Sequence, residues 1–171
     1  LGSGIMGHGI AQVSAMAGYN VVLRDIEQRF LDNAIDKIKW SLDKLVSKEK
    51  ISDDERNKII SRIEPIVDLN DAVQNADLVI EAVPEIMDLK KKVYAELDKA
   101  ADDKVIFASN TSTLPITEIA DTISKPDKFI GIHFFNPPQL MKLVEVIPGQ
   151  KTSDDIVNIT IDFVKSVKKV P

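Results

Sequence analysis

Two short segments of this chain contain residue types that could carry out a reaction together. His133 is followed twelve residues later by Glu145, so an imidazole that can accept a proton has a carboxylate available to orient it. The second segment, Gly2-Ser3-Gly4-Ile5-Met6-Gly7, has the glycine spacing of a loop that binds the phosphates of a dinucleotide. A base that removes a hydroxyl proton and a cofactor that accepts a hydride are the two requirements of an alcohol dehydrogenase.

The glycine loop has a mechanical rationale. One glycine permits a tight turn, one lets the backbone approach the pyrophosphate, and one lets a helix pack closely on a strand. The phosphates would then meet free N–H groups at a helix N-terminus. Glycines at this spacing also serve ordinary helix–sheet packing. An apolar helix predicted from Ile5 to Ala17 favours dinucleotide binding, and so does an acid, Asp25, at the end of the next predicted strand.

Asp25 also bears on the choice of cofactor. A carboxylate at the end of that strand accepts hydrogen bonds from the adenosine ribose and repels a 2′-phosphate, so we expect NAD rather than NADP. The neighbouring Arg24 is a feature that could accommodate the extra phosphate, which leaves NADP as the alternative.

Composition excludes several classes of protein. The net charge of −5 provides no basic excess for binding nucleic acid. The absence of cysteine excludes disulfides, thiolate catalysis and cysteine-ligated metal, and we expect no metal site. No apolar run approaches the roughly 18 residues that a membrane span requires. These features, with no recognisable signal peptide, favour a cytoplasmic protein.

Strand-like and helix-like segments alternate along the chain, which predicts an α/β fold with a mainly parallel sheet. Strands are predicted at 20–25, 66–67, 78–83, 105–108, 129–132 and 143–146. Helices are predicted at 5–17, 27–48, 52–62, 71–75, 87–100 and 154–168. Without a linker or an internal repeat, residues 1–171 are predicted to form one domain.

These elements would place His133 close to the C-terminal end of a strand, where α/β sheets bind ligands. Asn136 and the prolines after it would form a rigid polar loop, and Glu145 would lie on the following strand. Taken alone, His133 would more often be a structural histidine than a base. Glu145 could equally be an exposed carboxylate of an edge strand, and Ser112 a turn or cap hydroxyl. The other histidine, His8, is interpreted as a helix-surface residue.

Three segments with matching spacings closely resemble the L-3-hydroxyacyl-CoA dehydrogenases. They are Asn110-Thr111-Ser112-Thr113-Leu114, His133-Phe134-Phe135-Asn136-Pro137 and Met141-Lys142-Leu143-Val144-Glu145-Val146. The resemblance extends over essentially the whole chain, including the glycine loop, Ala11-Gln12 and residues 78–85. It implies a Rossmann-type, doubly wound sheet with an inserted pair of long helices.

The resemblance also implies a reaction and roles for individual residues. The reaction is the NAD-dependent oxidation of an (S)-3-hydroxyacyl-CoA to the 3-ketoacyl-CoA, or its reverse, as in fatty acid β-oxidation. His133 would be the base, Glu145 would hold its other nitrogen, and Ser112 would hydrogen-bond the reacting oxygen near the nicotinamide. Positions that match cofactor contacts are Gly2, Ser3, Gly4, Ile5, Met6, Gly7, Asp25, Glu85, Lys90 and Asn136.

Ser41 and Lys48, on the long predicted helix, match positions that contact coenzyme A. Lys37, Trp40 and Lys44 fall in the same sector of that helix, about 100° wide at 100° per residue. A stripe of lysines in an acidic protein is often no more than a solvated helix face. We interpret this one as the surface that receives the phosphates of an acyl-CoA.

The chain departs from the family at both ends. In the family a strand precedes the glycine loop, and a helical domain follows with an active-site asparagine, much of the acyl pocket and the dimer contact. We therefore expect residues 1–171 to be an NAD-binding domain truncated at both ends, inactive alone. The parent protein would be a homodimer, and fusion to an enoyl-CoA hydratase unit, known among relatives, stays open.

Two other functions stay open. One is a β-hydroxyacid dehydrogenase that acts on a free acid, although such enzymes use a lysine as acid–base and no match to their motif is evident. The other is a non-catalytic NAD-binding protein, such as a crystallin-like homologue. The presence of both His133 and Glu145 favours an enzyme.

Overall fold

The computed structural model describes residues 1–171 as an alternation of strands and helices. The six strands are β1 Val21–Arg24, β2 Ile63–Ile66, β3 Leu78–Glu81, β4 Ile106–Ser109, β5 Phe129–Phe134 and β6 Val144–Pro148. The helices are α1 Ile5–Met16, α2 Gln28–Ser47, α3 Asp53–Ser61, α4 Leu69–Val73, α5 Met87–Ala100, α6 Ile116–Ala120 and α7 Asp154–Ser166, with a 3₁₀ turn at Pro126–Lys128.

The strands form two hydrogen-bonded groups that Leu1 and Gly2 connect. β1 pairs in parallel with β2, and β3, β4 and β5 form a parallel group to which β6 adds in antiparallel orientation. Leu1 donates to the Ile80 carbonyl oxygen and accepts from the Ala82 amide, both at 2.8 Å, while Gly2 donates to the Arg24 carbonyl oxygen at 2.9 Å. The prediction of a mainly parallel, Rossmann-type sheet is confirmed.

Helix α2 covers one face of the sheet through a continuous apolar stripe. Leu31, Ala34, Ile38 and Leu42 recur at intervals of three and four and are all buried. They pack with residues of α1 and β1 in one of three apolar clusters. The opposite face of α2 is charged, and no helix of the protein is both long and apolar enough to cross a membrane.

The sequence prediction is wrong about the limits of two elements, β2 and α4, and it lacks the five-residue helix α6, which is too short to show a helical period. Strand β2 covers 63–66 rather than 66–67, because its pairing with β1 begins at Val21 and Ile63. Pro65 is tolerated there because β2 is an edge strand with a side that needs no hydrogen-bond donor. Helix α4 begins at Leu69 rather than at residue 71, because Asp68 accepts hydrogen bonds from the Asn70 and Asp71 amides and caps it earlier.

Candidate active site

His133 and Glu145 form a direct contact between two neighbouring strands. The antiparallel register of β5 and β6 places the two residues opposite each other. Nδ1 of His133 lies 2.7 Å from Oε2 of Glu145. Only 16% of the histidine side chain is exposed, against 49% of the glutamate side chain. Since Glu145 occupies Nδ1, Nε2 is the nitrogen that remains free to exchange a proton with a substrate.

A cleft of about 290 Å³ opens beside His133 at the C-terminal ends of β3, β4 and β5. Predicted site residues from distant parts of the sequence meet in its wall. They are Met6, Glu85, Ser112, His133 and Asn136. Parallel strands carry their C-terminal ends to one edge of the sheet, so residues that follow different strands converge there.

Asn110 is a cleft residue to which the sequence assigns no role. It follows β4 directly, and its side-chain oxygen accepts a hydrogen bond from the Phe134 amide at 2.8 Å. The contact fixes the end of β5, and therefore the residue next to His133, against the loop that carries Ser112. A polar residue immediately after a buried strand was the available signal.

The glycine loop has the conformation that its motif requires. Gly2 adopts a positive φ of 83°. A Cβ on Gly7 would lie 1.7 Å from the Gly2 carbonyl oxygen, so only glycine fits where α1 crosses the loop. A Cβ on Gly4 would meet nothing within 4 Å. No side chain caps the N-terminus of α1, so its first N–H groups and the open space at Gly4 fit a bound diphosphate.

Asp25 follows β1 and binds the glycine loop. Its Oδ2 accepts hydrogen bonds from the Ser3 amide at 2.6 Å and the Ser3 hydroxyl at 2.7 Å. Burial raises the pKa of this carboxyl, but the hydrogen bonds from Ser3 and Ile26 outweigh that effect and leave the pKa below its ordinary value. Arg24 donates its Nε to the Val67 carbonyl oxygen at 3.0 Å. The carboxylate is therefore ionised at neutral pH, and the adjacent guanidinium is already engaged.

Glu85 connects the turn after β3 to the loop after β4. Its Oε1 accepts hydrogen bonds from the Thr111 hydroxyl and, at 3.0 Å, from the Ser112 amide. Burial raises the pKa of Glu85, but these bonds and the nearby Lys90 ammonium lower it below the ordinary value. Lys90 itself is only 1% exposed and does not reach the cleft wall. Its ammonium contacts Glu81 and Glu85 instead.

The two predicted coenzyme A contacts lie outside the cleft, on and just after α2. Ser41 accepts a hydrogen bond at 3.0 Å from Gln12, a buried residue of α1 that also accepts one from Gln139 at 3.1 Å. Lys48 is exposed at the end of the helix. Trp40 is 62% exposed, with the Lys44 ammonium 3.4 Å above its ring centroid. The stripe therefore faces solvent, but Gln12 links it to the glycine-loop helix.

Ile5 and Ser3, the two remaining predicted cofactor contacts, differ in exposure. Ile5, the first residue of α1, is largely exposed. Ser3 is buried against Asp25. Nδ1 of His8 lies 2.6 Å from the Gly4 carbonyl oxygen, so this histidine is held against its own helix.

A mainly parallel sheet whose glycine loop opens an uncapped helix, with an acid after the following strand, defines a Rossmann-type dinucleotide-binding domain. More particularly, the chain belongs to the 3-hydroxyacyl-CoA dehydrogenase family, whose NAD-binding domain model matches residues 1–171. The predictions of the family and of NAD as the cofactor are thereby confirmed.

Individual relatives are similar over the whole chain. A 3-hydroxybutyryl-CoA dehydrogenase of Clostridioides difficile is 42% identical over 171 residues, which are 100% of this chain and 60% of that protein. A fatty acid oxidation complex subunit alpha of Idiomarina loihiensis is 45% identical, again over 100% of this chain but 24% of the relative. The crystal structure of (S)-3-hydroxybutyryl-CoA dehydrogenase from Ralstonia eutropha superposes with a TM-score of 0.97 at 40% identity, covering 99% of this chain and 60% of that one.

Proposed function

We propose that the protein oxidises an (S)-3-hydroxyacyl-CoA to the 3-ketoacyl-CoA with NAD, or catalyses the reverse reduction. The observation that carries the proposal is the 2.7 Å contact of His133 with Glu145 in a family member, beside a cleft that also contains Ser112. The C. difficile relative is named for this activity on 3-hydroxybutyryl-CoA. Since the chain spans 60% of that relative, the activity is proposed for the full natural protein.

In oxidation, Nε2 of His133 accepts the proton of the 3-hydroxyl group. Glu145 holds the proton on Nδ1, which fixes the tautomer, and its negative charge stabilises the imidazolium that forms. The Ser112 hydroxyl lies in the same cleft and donates a hydrogen bond to the reacting oxygen. NAD, when bound, supplies the hydride acceptor. The protein therefore handles one proton and the orientation of the reactants.

The glycine loop and Asp25 would hold the adenosine half of the cofactor. The first-turn amides of α1, which no side chain caps, would bind the diphosphate, and the ionised Asp25 carboxylate would accept hydrogen bonds from the ribose hydroxyls. Met6, Glu85 and Asn136 border the cleft that would receive the nicotinamide half. Lys90 would act on this half through Glu85 and not by direct contact.

The exposed stripe of α2 is the proposed contact for the coenzyme A phosphates. Ser41, Lys44 and Lys48 offer a hydroxyl and two cations on one helix face of an otherwise acidic protein. A homodimeric parent and fusion to a hydratase unit remain predictions from the resemblance, and a cytoplasmic location remains a prediction from composition.

The test is NADH oxidation with acetoacetyl-CoA by the full natural protein. We expect turnover by the wild type and a loss of at least ~100-fold in His133→Gln, the scale of general acid–base catalysis. Glu64→Gln, which changes an exposed carboxylate on β2, is the control for a substitution of similar size. Robust turnover in His133→Gln would remove this residue as the base.

Two further outcomes separate the alternative functions. Turnover of free acetoacetate in preference to acetoacetyl-CoA would indicate a β-hydroxyacid dehydrogenase. NADH binding by the wild type without turnover of either substrate would indicate a non-catalytic NAD-binding protein. NADH binding is followed by fluorescence, so it does not depend on catalysis.

A further inference from the structure

Glu81 is a fully buried carboxylate at the end of β3 that the proposed reaction does not use. Its Oε1 accepts hydrogen bonds from the Lys90 ammonium at 2.6 Å and from the Val83 amide at 2.7 Å. Its Oε2 accepts one from the Ser109 hydroxyl at 2.7 Å. Glu81 is 0% exposed and Lys90 is 1% exposed, so both charges have been removed from water.

A buried ion pair is not an efficient way to stabilise a fold. The loss of hydration offsets most of the attraction, and an apolar pair of similar volume often gives equal or greater stability. Every polar atom of this pair is nevertheless matched, and no buried side-chain nitrogen or oxygen of the protein lacks a partner. Such complete matching fixes the geometry of the pair more than it adds stability, so the pair can hold neighbouring groups in place.

Lys90 connects Glu81 to a residue of the cleft wall. Besides Glu81, its ammonium contacts Oε2 of Glu85 at 3.3 Å. The other oxygen of Glu85 accepts the Thr111 hydroxyl and the Ser112 amide. An unbroken series of charge-assisted contacts therefore runs from Glu81 through Lys90 and Glu85 to the backbone of Ser112.

We propose that Glu81 is a positioning residue that acts through Lys90 and Glu85 to hold Ser112 in place in the cleft beside His133. The inference rests on the proposed function, because Ser112 matters there as the donor to the reacting oxygen. Glu81 touches neither cofactor nor substrate. Its effect is on where Ser112 stands, and displacements of about 1 Å at such a group are enough to lower rates by ~100-fold.

The test separates stability from positioning by two variants of the full natural protein. Glu81→Gln leaves the Lys90 cation buried with one carboxylate fewer, and we expect both Tm and kcat to fall. Glu81→Gln combined with Lys90→Met removes both charges, so Tm should return to within about 3 °C of the wild type. Because Glu85 still lacks its ammonium, kcat with acetoacetyl-CoA should stay at least ~10-fold low.

The affinity for NADH provides a readout that catalysis does not influence. Because Lys90 acts on the nicotinamide half through Glu85, the double variant should raise the Kd measured by fluorescence, but by ~3-fold at most, on the scale of one weak hydrogen bond, since the glycine loop and Asp25 are unchanged. The matched control is Asp77→Asn with Lys104→Met. Asp77 and Lys104 form an exposed pair, 3.1 Å apart, at the N-terminal ends of β3 and β4, away from the cleft. Their replacement should change neither kcat nor Kd.

Recovery of kcat together with Tm in the double variant would overturn the inference and make the ion pair purely structural. If the variants of Glu81 do not fold, Ser109→Ala and Thr111→Val test the same series without leaving a buried charge unpaired. Their effects on kcat should be smaller in combination than the product of the single effects, since both loosen one series of contacts. A combined effect on kcat equal to the product of the single effects would contradict the inference. Absence of turnover in the wild type would instead contradict the proposed function.

Discussion

The Asp25 carboxylate accepts two hydrogen bonds from Ser3, one from the Ser3 amide at 2.6 Å and one from the Ser3 hydroxyl at 2.7 Å. The carboxylate proposed to receive the cofactor ribose therefore also fixes the second residue of the glycine loop. Ser3 is buried by this contact and is not free to bind a phosphate through its hydroxyl.

Ser3→Ala should weaken NADH binding without changing its specificity. The amide contact to Asp25 persists, but the carboxylate proposed to bind the ribose loses the hydroxyl contact that orients it, so Kd should rise by no more than roughly 10-fold. Asp25→Asn should produce a larger increase for NADH and reduce the discrimination against NADPH, because the repelling charge is gone. Fluorescence titration measures both. Asp36→Asn, an exposed carboxylate of α2, is the control, and an unchanged NADH Kd in Asp25→Asn would contradict the assignment.

The lowered pKa of Asp25 predicts a pH dependence of stability. The pKa of this carboxyl is lower in the folded protein than in the unfolded chain, where it is about 3.9. Its contribution is therefore fully present above about pH 4 and is lost as the pH falls through the folded pKa. The difference in Tm between wild type and Asp25→Asn should be constant from pH 7 to about 4.5 and shrink below that. A difference that grows on acidification would contradict this sign.

Alanine at two glycines should separate folding from cofactor binding. At Gly7 the new Cβ would stand 1.7 Å from the Gly2 carbonyl oxygen, so we expect a loss of stability of about 3 kcal/mol or more, as for severe overpacking. At Gly4 the Cβ enters open space, so Tm should stay near that of the wild type. The same Cβ occupies the proposed path of the diphosphate, and the NADH Kd should rise at least ~10-fold. Equal NADH affinity in Gly4→Ala would remove the loop as the phosphate site.

Glu145→Gln tests the partner of the proposed base. Glutamine keeps an oxygen that can accept from Nδ1 of His133 but removes the charge that stabilises the imidazolium. We expect kcat with acetoacetyl-CoA to fall about 100-fold while the NADH Kd stays within a factor of two or so. Since Glu145 is half-exposed, Tm should change little. A wild-type kcat would show that the contact between the two residues has no role in proton transfer.

Lys48→Glu tests the stripe on α2. Reversal of a charge proposed to meet a phosphate should raise KM for acetoacetyl-CoA by roughly 10-fold and leave the NADH Kd unchanged. Lys39→Glu is the matched control, because it reverses an exposed charge on the same helix outside the sector that contains Ser41 and Lys48. Equal KM values in the two variants would identify the stripe as an ordinary solvated face.

The sequence placed Glu145 on the strand after His133, and the resemblance to the family implied their contact, which the antiparallel register of β5 and β6 explains. The sequence could not predict the limits of β2 as well. That strand pairs with β1, more than forty residues earlier, and no local pattern reports a partner so distant.

Lys90 shows a second kind of limit. It stands in a run of three lysines, Lys90 to Lys92, on an amphipathic helix, and lysines are seldom buried. The helix turns one of the three toward the sheet, and the buried Glu81 that receives it belongs to another element. Resemblance to the family identified the position as functional, but only the packed structure identifies its partner.

Leu1 and Gly2 hold β1 and β3 together through backbone hydrogen bonds to both sides, and Gly2 is also the first glycine of the phosphate loop. The β1–β2 group and the β3–β6 group are therefore joined at the start of the proposed phosphate loop. A cofactor held by the proposed phosphate loop would lie where the β1–β2 group and the β3–β6 group are joined, so its binding should stabilise the attachment of the two groups to each other.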